Sequence, residues 1–244
     1  MKLLSWNIQQ GGASRAAAIT SAVRDIDPDV LVLTEVRITS TELLAMLSDR
    51  GWRYQAVGVA PGGFGAAAVL SRTPLIRRED SPTEAKFAGR RVEAEIPDAC
   101  MTVVAIYGPL QGDDFDGFWA STVAELRARD DAPTVIAGDL NTGEALVDAK
   151  DPKFFCSQHF AAVKQAGYTD AWRSTHGDER QYSWYLQGKG GVRVSGFRLD
   201  HVLTSASLAP RIRDARYLHS SREQRISDHS PMLVTFGDGP ARSW

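Results

Sequence analysis

The sequence predicts an α/β protein in which two packed β-sheets are flanked by helices. Short, strand-like apolar runs alternate with amphipathic helical segments along the whole length. No Pro- or Ser-rich linker, block of like charges or internal repeat divides the 244 residues. We therefore expect a single domain over residues 1–244, which is long enough to bury a substantial core.

Strands are predicted first from continuous apolar runs, which indicate strands buried on both faces. A run that alternates apolar and charged residues, at 92–96, is typical of a half-exposed strand. The predicted strands cover residues 3–8, 30–35, 66–70, 92–96, 101–107, 134–139, 182–186, 199–204 and 232–236.

Helices are predicted where apolar residues recur at helical spacing. Ser14 is expected to cap the first helix, which carries Ile19 and ends before Pro28. Ser40 is expected to begin the second helix, and residues 115–129 to form a third. Helices spread between strands in this way fit an outer covering for two sheets.

Composition excludes several classes of protein. The 28 Lys and Arg residues against 30 Asp and Glu leave a formal net charge of −2, which is not the basic signature of a protein that holds nucleic acid by bulk charge. No apolar stretch reaches the roughly 20 residues of a membrane span, and the first residues do not resemble a secretory signal. Two cysteines, Cys100 and Cys156, form no disulfide framework, which favours a reducing, cytoplasmic setting.

Polar residues stand where several predicted apolar strands end. A carboxylate is costly to bury there unless it is paired or bound to a metal. These residues offer hard oxygen ligands and a single histidine, a set that favours Mg²⁺ or Mn²⁺ over zinc. No phosphate-binding P-loop and no Gly-x-Ser-x-Gly motif is present, so metal-assisted phosphoester hydrolysis is the natural interpretation. The residues are Asn7, Glu35, Asp139, Asn141, Asp200, Asp228 and His229.

The chain resembles the endonuclease/exonuclease/phosphatase superfamily, and within it the exonuclease III branch of abasic-site endonucleases. Single motifs are weak, but seven in family order make a strong signal. The resemblance implies a four-layer α/β sandwich, with two packed mixed sheets between helices. The motifs are Ser-Trp-Asn-Ile at 5–8, Leu-Thr-Glu-Val at 33–36, Ile-Tyr-Gly-Pro at 106–109, Gly-Asp-Leu-Asn at 138–141, Tyr-Ser-Trp at 182–184, Arg-Leu-Asp at 198–200 and Ser-Asp-His-Ser-Pro at 227–231.

Three positions depart from the pattern of that branch. Gln9 stands where the branch usually has Asn or Asp, a residue that helps to hold metal. Thr34 and Arg37 stand where it usually has Gln and Lys beside the metal-binding glutamate. These departures leave the hydrolase chemistry in place and leave the preference for abasic sites open.

The resemblance implies a role for each polar residue. Glu35 would be the principal Mg²⁺ ligand, assisted by Asn7 and with Asp228 at the metal or next to it. It places Asp139 as the residue that orients or deprotonates the attacking water. Asn141 would hold the water or a phosphate oxygen.

A second group of roles concerns the phosphate and the sugar. His229 would contact the scissile phosphate, with Asp200 fixing its tautomer, and Tyr107 would place its phenol near that phosphate. Trp184 would form the wall of a pocket for a sugar without a base, and Arg198 is expected to contact substrate. Two clusters of arginines are either tracks for a phosphate backbone or solvated faces: Arg72, Arg77, Arg78, Arg90 and Arg91, and Arg211, Arg213, Arg216, Arg222 and Arg225.

Three functions remain open at this level. The leading hypothesis is a Mg²⁺-dependent phosphodiesterase acting on DNA, as an abasic-site endonuclease, a 3′-to-5′ exonuclease or both. The second keeps this chemistry and acts on RNA or a small phosphoester. The third is a catalytically silent binding module. We expect a monomer without a membrane partner.

Overall fold

Fourteen strands form two six-stranded mixed sheets and one two-stranded ribbon in residues 1–63, 65–78, 85–110, 115–149 and 154–237, which the computed structural model describes. The strands are β1 (Lys2–Asn7), β2 (Val30–Val36), β3 (Tyr54–Val57), β4 (Ala66–Ser71), β5 (Ile76–Arg77), β6 (Arg91–Ile96), β7 (Met101–Ile106), β8 (Thr134–Asp139), β9 (Thr169–Asp170), β10 (Trp184–Gln187), β11 (Arg193–Phe197), β12 (Asp200–Thr204), β13 (Ile212–Tyr217) and β14 (Met232–Phe236).

The order of strands is β13-β14-β1-β2-β4-β3 in the first sheet and β5-β6-β7-β8-β12-β9 in the second, while β10 and β11 form the ribbon. The pairs β1–β2 and β7–β8 are parallel. The helices are α1 (Ala16–Ile26), α2 (Thr41–Asp49), α3 (Phe115–Arg127), α4 (Ser157–Gln165), α5 (Ala171–His176) and α6 (Ser220–Glu223).

Three apolar clusters hold four layers together. The largest lies between the sheets, with Val32 and Val234 of the first sheet packed among residues of the second such as Val103. A second cluster joins α1 and α2 to the outer face of the first sheet, and a third joins α3 and α4 to the outer face of the second. The predicted sandwich of two mixed sheets between helices is confirmed.

The helix starts differ from the sequence predictions. Ser14 does not cap α1; it lies inside a short 3₁₀ turn (Ala13–Arg15), and Arg15 precedes the helix without a side-chain cap. Ser40 stands at the start of α2 as expected, but its hydroxyl donates to the carbonyl of Gly11 instead of capping the helix. Within the described residues, no helix is both long and apolar enough to span a membrane.

Candidate active site

The topology gathers the predicted polar residues at one edge of the sandwich. Asn7 and Glu35 lie at the carboxyl ends of the parallel strands β1 and β2. Asp139 ends β8, and Asp200 begins the antiparallel strand β12 directly opposite it. His229 lies just before β14. Since parallel strands present their carboxyl ends at the same edge, strands distant in sequence converge on one site.

Asn7 joins the acidic groups of the two sheets. It is buried, and its side-chain amide donates to Glu35 Oε1 at 3.0 Å and to Asp139 Oδ2 at 2.8 Å. Its amide oxygen accepts the backbone N–H of Gln9 at 2.8 Å, and its carbonyl accepts the hydroxyl of Ser227 at 2.7 Å. Three hydrogen bonds therefore hold the side chain of Asn7, and a fourth holds its backbone carbonyl.

Glu35 occupies a strained backbone position. Its φ of 60° is left-handed, at a bulge between Thr34 and Val36 where β2 pairs with β4. Such a conformation costs a non-glycine residue about 1–3 kcal/mol and is found most often at functional sites, and bulges change where a side chain is directed. Glu35 Oε2 accepts the backbone N–H of Gln10 at 2.6 Å.

A buried chain of hydrogen-bonding groups connects Asp200, His229 and Asp139. His229 Nδ1 lies 2.7 Å from Asp200 Oδ2, and His229 Nε2 lies 3.9 Å from Asp139 Oδ2. The hydroxyl of Ser183 accepts the backbone N–H of Asp200 at 3.2 Å, and the phenol of Tyr217 donates to its carbonyl at 2.6 Å. Asp200 is held in place on both sides and can fix the tautomer of His229.

Burial and charge shift two pKa values in this chain of groups. Burial and the neighbouring Asp200 carboxylate raise the pKa of Asp139 to about 7, against the opposing effect of His229. Burial lowers the pKa of His229, but the carboxylates of Asp200 and Asp139 outweigh it and raise that pKa to about 10. A carboxyl that titrates near neutrality beside a cationic imidazole is suited to general base catalysis on an anionic substrate.

Asn141 and Tyr107 lie next to Asp139. The backbone N–H of Asn141 donates to Asp139 Oδ1 at 3.0 Å, and its side chain donates to the carbonyl of Gly108 at 2.9 Å. The ring of Tyr107 lies 4.8 Å from the guanidinium of Arg90. Burial, Glu35 and Asp139 raise the pKa of Tyr107 well above its usual value, so this phenol stays protonated and can donate a hydrogen bond.

Asp228 and Trp184 are joined by a hydrogen bond close to His229. The indole N–H of Trp184 donates to Asp228 Oδ2 at 3.1 Å, and the Trp184 ring lies 6.3 Å from that of His229. The other carboxylate oxygen of Asp228 is buried and has no hydrogen-bond partner among the described residues. Such an orphaned acceptor costs free energy unless a cation or a ligand meets it.

The carboxylate oxygens of the site fit a divalent cation, which prefers hard oxygen ligands. Glu35 and Asp228 line one cavity, and one carboxylate oxygen of Asp228 is unpartnered among the described residues. Asp139, Asp200 and His229 present potential ligand atoms within 4.8 Å of one another, and Asp200 Oδ1 is also unpartnered. The residues can therefore hold a metal ion.

A cavity of about 570 Å³ opens on these groups. Its polar lining residues are Glu35, Tyr107, Asp139, Asn141, Asp228 and His229. Its apolar lining residues, most of them aromatic, are Leu110, Phe154, Phe155, Trp184, Phe197 and Leu199. A lining that combines polar groups with aromatic rings suits a ligand that has both polar and apolar parts.

Three of the predicted site residues, Asn7, Asp200 and Arg198, are not among those that line the cavity. The side chain of Arg198 is fully buried, with Nε 2.7 Å from Asp148 Oδ1 and Nη2 2.6 Å from Asp170 Oδ2. Carboxylates occupy both sides of its guanidinium, an arrangement that favours a structural role over the predicted contact with substrate. With His201, these two acids form a second group that has metal-ligand spacing, and Arg198 supplies its positive charge.

Several residues of the site were not predicted from the sequence. Phe154 and Phe155 lie in a segment without a motif, so nothing in the sequence indicates them. Phe197 and Leu199 carry a usable signal, because residues alternate sides along an extended chain and these two alternate with the buried Arg198.

Comparisons with known proteins agree with this arrangement. The model of the Endonuclease/Exonuclease/phosphatase family matches residues 4–229. An exodeoxyribonuclease of Bacillus subtilis is 28% identical over 95% of this chain and 98% of the relative. The DNA repair nuclease APEX1 of Danio rerio is 27% identical over 96% of this chain and 81% of the relative.

Solved structures share the fold. A 3′-5′ exonuclease from Neisseria meningitidis superimposes with a TM-score of 0.80 at 24% identity, over 98% of this chain and 100% of the other. An AP endonuclease from Archaeoglobus fulgidus gives a TM-score of 0.80 at 21% identity, over 97% and 99%. The likeness extends across both sheets and their covering helices.

Proposed function

This chain belongs to the Endonuclease/Exonuclease/phosphatase family, and from that premise we propose that it is a Mg²⁺-dependent phosphodiesterase that acts on DNA. The observation that carries the proposal is the convergence of Glu35, Asp139, Asp228 and His229 on one cavity, with Asn7 hydrogen-bonded to two of these acids. The proposal includes a monomer that acts in the cytoplasm as a single domain over residues 1–244.

Asp139 would act as the base that orients and deprotonates the attacking water. Its pKa near 7 allows a substantial carboxylate fraction at neutral pH together with useful basicity. Asn141 would help to hold the water or a phosphate oxygen, since it is fixed beside Asp139 by its backbone N–H.

His229 would contact the scissile phosphate as an imidazolium and stabilise the charge that develops there. Its hydrogen bond to Asp200 keeps Nδ1 occupied and leaves Nε2 on the side of Asp139 and the cavity. The protonated phenol of Tyr107 would donate a further hydrogen bond to the same phosphate.

The metal would be held by Glu35, with Asn7 and Asp228 assisting. Mg²⁺, or Mn²⁺ in its place, supplies positive charge that neutralises phosphate oxygens and polarises the phosphorus centre. The backbone N–H of Gln10 and the amide of Asn7 hold the Glu35 carboxylate before any metal arrives. Gln9 contributes its backbone N–H to Asn7, while its side chain accepts from Arg15.

DNA is the substrate that the relatives favour, because both are named as nucleases of DNA. The aromatic rings of Phe154, Trp184 and Phe197 in the cavity lining support a preference for deoxyribose without a base. A sugar stripped of its base exposes an apolar face that can lie against these rings, while its phosphate meets the acidic side. Incision at abasic sites and removal of 3′ ends both satisfy this arrangement.

Two labelled duplexes test the function, one intact and one with a single abasic-site analogue, each incubated with Mg²⁺ and with a chelator. Mg²⁺-dependent incision at the analogue is the expected result. Digestion from the 3′ end alone would make the protein an exonuclease. Failure to cleave either duplex would overturn the DNA substrate and direct the search to RNA and small phosphodiesters.

A further inference from the structure

A second groove lies beside the catalytic cavity and shares a wall with it. It has a volume of about 530 Å³, and Asp228 borders both spaces. Its other lining residues include Gln9, Gln187, Arg193, Arg222 and Arg225. The groove therefore continues from the catalytic cavity past Asp228, toward the ribbon of β10 and β11.

Two of its arginines are held around one tyrosine. The guanidinium carbons of Arg193 and Arg222 lie 4.6 and 4.5 Å from the centre of the Tyr185 ring. Arg222 is anchored further, because its Nη1 donates to the carbonyls of Tyr182 at 3.1 Å and Ser183 at 3.2 Å. A guanidinium fixed in this way loses little further freedom when it binds an anion.

The positive charge of the groove is not neutralised by ion pairs. Among the described residues, Arg193, Arg222 and Arg225 form no salt bridge, whereas Arg72 and Arg129 elsewhere on the surface each bind a carboxylate. The acids that border the groove are Glu223 and Asp228.

The proximity of these charges has a measurable consequence. Burial and the charge of Arg193 lower the pKa of Arg222. Burial and Arg222 likewise lower the pKa of His219. An anion in the groove would relieve this repulsion between like charges.

The structure also divides the arginine cluster that the sequence shows between residues 211 and 225. Arg211 and Arg213 bind backbone carbonyls, those of Gly237 and Pro210. Arg216 lies 3.5 Å from Asp214 on the same strand. Of this cluster, only Arg222 and Arg225 are among the described residues that line the groove, where Arg193 joins them from the ribbon.

We propose that Arg193, Arg222 and Arg225 form a second phosphate-binding subsite, which takes a backbone phosphodiester flanking the one that is cleaved. This inference rests on the proposed function, because it assumes a polynucleotide in the catalytic cavity. Arginine forks match phosphate oxygens in pairs, and a chain leaving the cavity past Asp228 enters the groove with its next phosphates.

Binding under chelating conditions tests the subsite apart from catalysis. The probe is a short fluorescein-labelled duplex containing the abasic-site analogue, and its Kd is measured by anisotropy between about 50 and 200 mM salt. We expect Arg193→Gln and Arg225→Gln each to weaken binding several-fold and to lower the salt slope by about 1. Arg127→Gln, an exposed arginine on α3 beside a different cavity, is the matched control and should bind as the wild type does.

Neutral methylphosphonate linkages identify the phosphate. A duplex with such linkages next to the scissile position should bind the wild type more weakly. Arg193→Gln should have the same Kd for this modified duplex as the wild type. If Arg193→Gln weakened binding to the methylphosphonate duplex by the same factor as binding to the unmodified duplex, the subsite would be wrong. Unchanged melting temperatures would confirm that the variants are folded.

The outcomes separate the subsite from the proposed function. If the wild type cleaves DNA while the groove variants keep its Kd and salt slope, the subsite is wrong and the function stands. If the wild type binds the duplex through these arginines but cleaves nothing, the function is wrong and the subsite stands.

Discussion

Two buried clusters in this molecule have the same composition, two aspartates and one histidine, but different electrostatic environments. In the first cluster, Asp139 and His229 line the open cavity and Asp200 is hydrogen-bonded to His229. In the second, Asp148, Asp170 and His201 lie within the fold around Arg198. In the first cluster the pKa of Asp139 rises to about 7. In the second, Arg198 outweighs burial and holds the pKa of Asp170 far below its usual range.

The two clusters differ in how far their carboxylate oxygens are satisfied. Arg198 donates four hydrogen bonds to Asp148 and Asp170. At the cavity, one oxygen of Asp200 and one of nearby Asp228 have no hydrogen-bond partner among the described residues. Acids and histidine at metal-ligand spacing are therefore not sufficient evidence for a site; unsatisfied oxygen beside a cavity is the more informative observation.

The largest expected effect is on turnover, from Asp139→Asn. Loss of the base should lower kcat by about 10³-fold or more, while the melting temperature stays the same or rises because a costly buried charge is removed. Single-turnover cleavage of the lesion-containing duplex measures the rate. Asp178→Asn, an exposed acid, is the control. Near-normal turnover of Asp139→Asn would contradict its role.

The second effect is on stability, from Arg198→Met. This change leaves Asp148 and Asp170 buried without their cation, so the free energy of unfolding should fall by about 3–5 kcal/mol. Urea denaturation followed by circular dichroism measures it. A variant as stable as the wild type that had lost only substrate affinity would return Arg198 to the role predicted from sequence.

The pH dependence of stability should have opposite signs in the two clusters when metal is absent. The pKa of Asp139 is higher in the folded protein than in the unfolded chain. Its contribution to the free energy of unfolding is therefore lost as pH rises from about 4 to 7. Asp139→Asn should therefore gain stability relative to wild type across that window. The pKa of Asp170 is lowered, so its contribution is lost only as pH falls below about 4, and the deficit of Asp170→Asn should shrink there.

Denaturation series at several pH values in chelator check both signs. The wild type supplies the reference at each pH. Parallel curves for the two variants would show that the clusters do not differ in this way.

The smallest effect concerns Trp184→Phe, which keeps an aromatic wall but removes the hydrogen bond to Asp228. If that bond orients a metal-binding carboxylate, the Mg²⁺ concentration for half-maximal cleavage should rise about tenfold. Trp184→Ala should in addition weaken the preference for the lesion over intact DNA. If wild type and Trp184→Phe needed the same Mg²⁺ concentration for half-maximal cleavage, Asp228 would not be a metal-binding carboxylate oriented by Trp184.

Much of the fold could be predicted because strands buried on both faces have continuous apolar sequences. Strands β1, β2, β7, β8, β12 and β14 follow such runs. The short edge strands β3 and β5 and the strand β13 do not, because one or both faces are exposed and their sequences lack a continuous run. The assignment of strands to two sheets depends on long-range pairing that local patterns do not encode.

The site was predicted where a motif ends a strand, and missed where tertiary contacts decide. Asp139, Asp200 and His229 come together as expected. The buried environment of Arg198 could not be predicted, because its partners lie 50 and 28 residues away. The left-handed backbone of Glu35 occurs at the bulge against β4, so the local sequence does not predict it either.

Mn²⁺ binding, followed by the electron paramagnetic resonance of free Mn²⁺, tests whether Glu35 and the cavity that it lines hold the metal. Wild type and Glu35→Gln are titrated in parallel, with Arg198 and its acids intact in both. Binding that is strong in the wild type and lost in Glu35→Gln is the predicted result. Equal binding by the two proteins would show that the ion is held elsewhere and would contradict the assignment of the cavity as the reaction site.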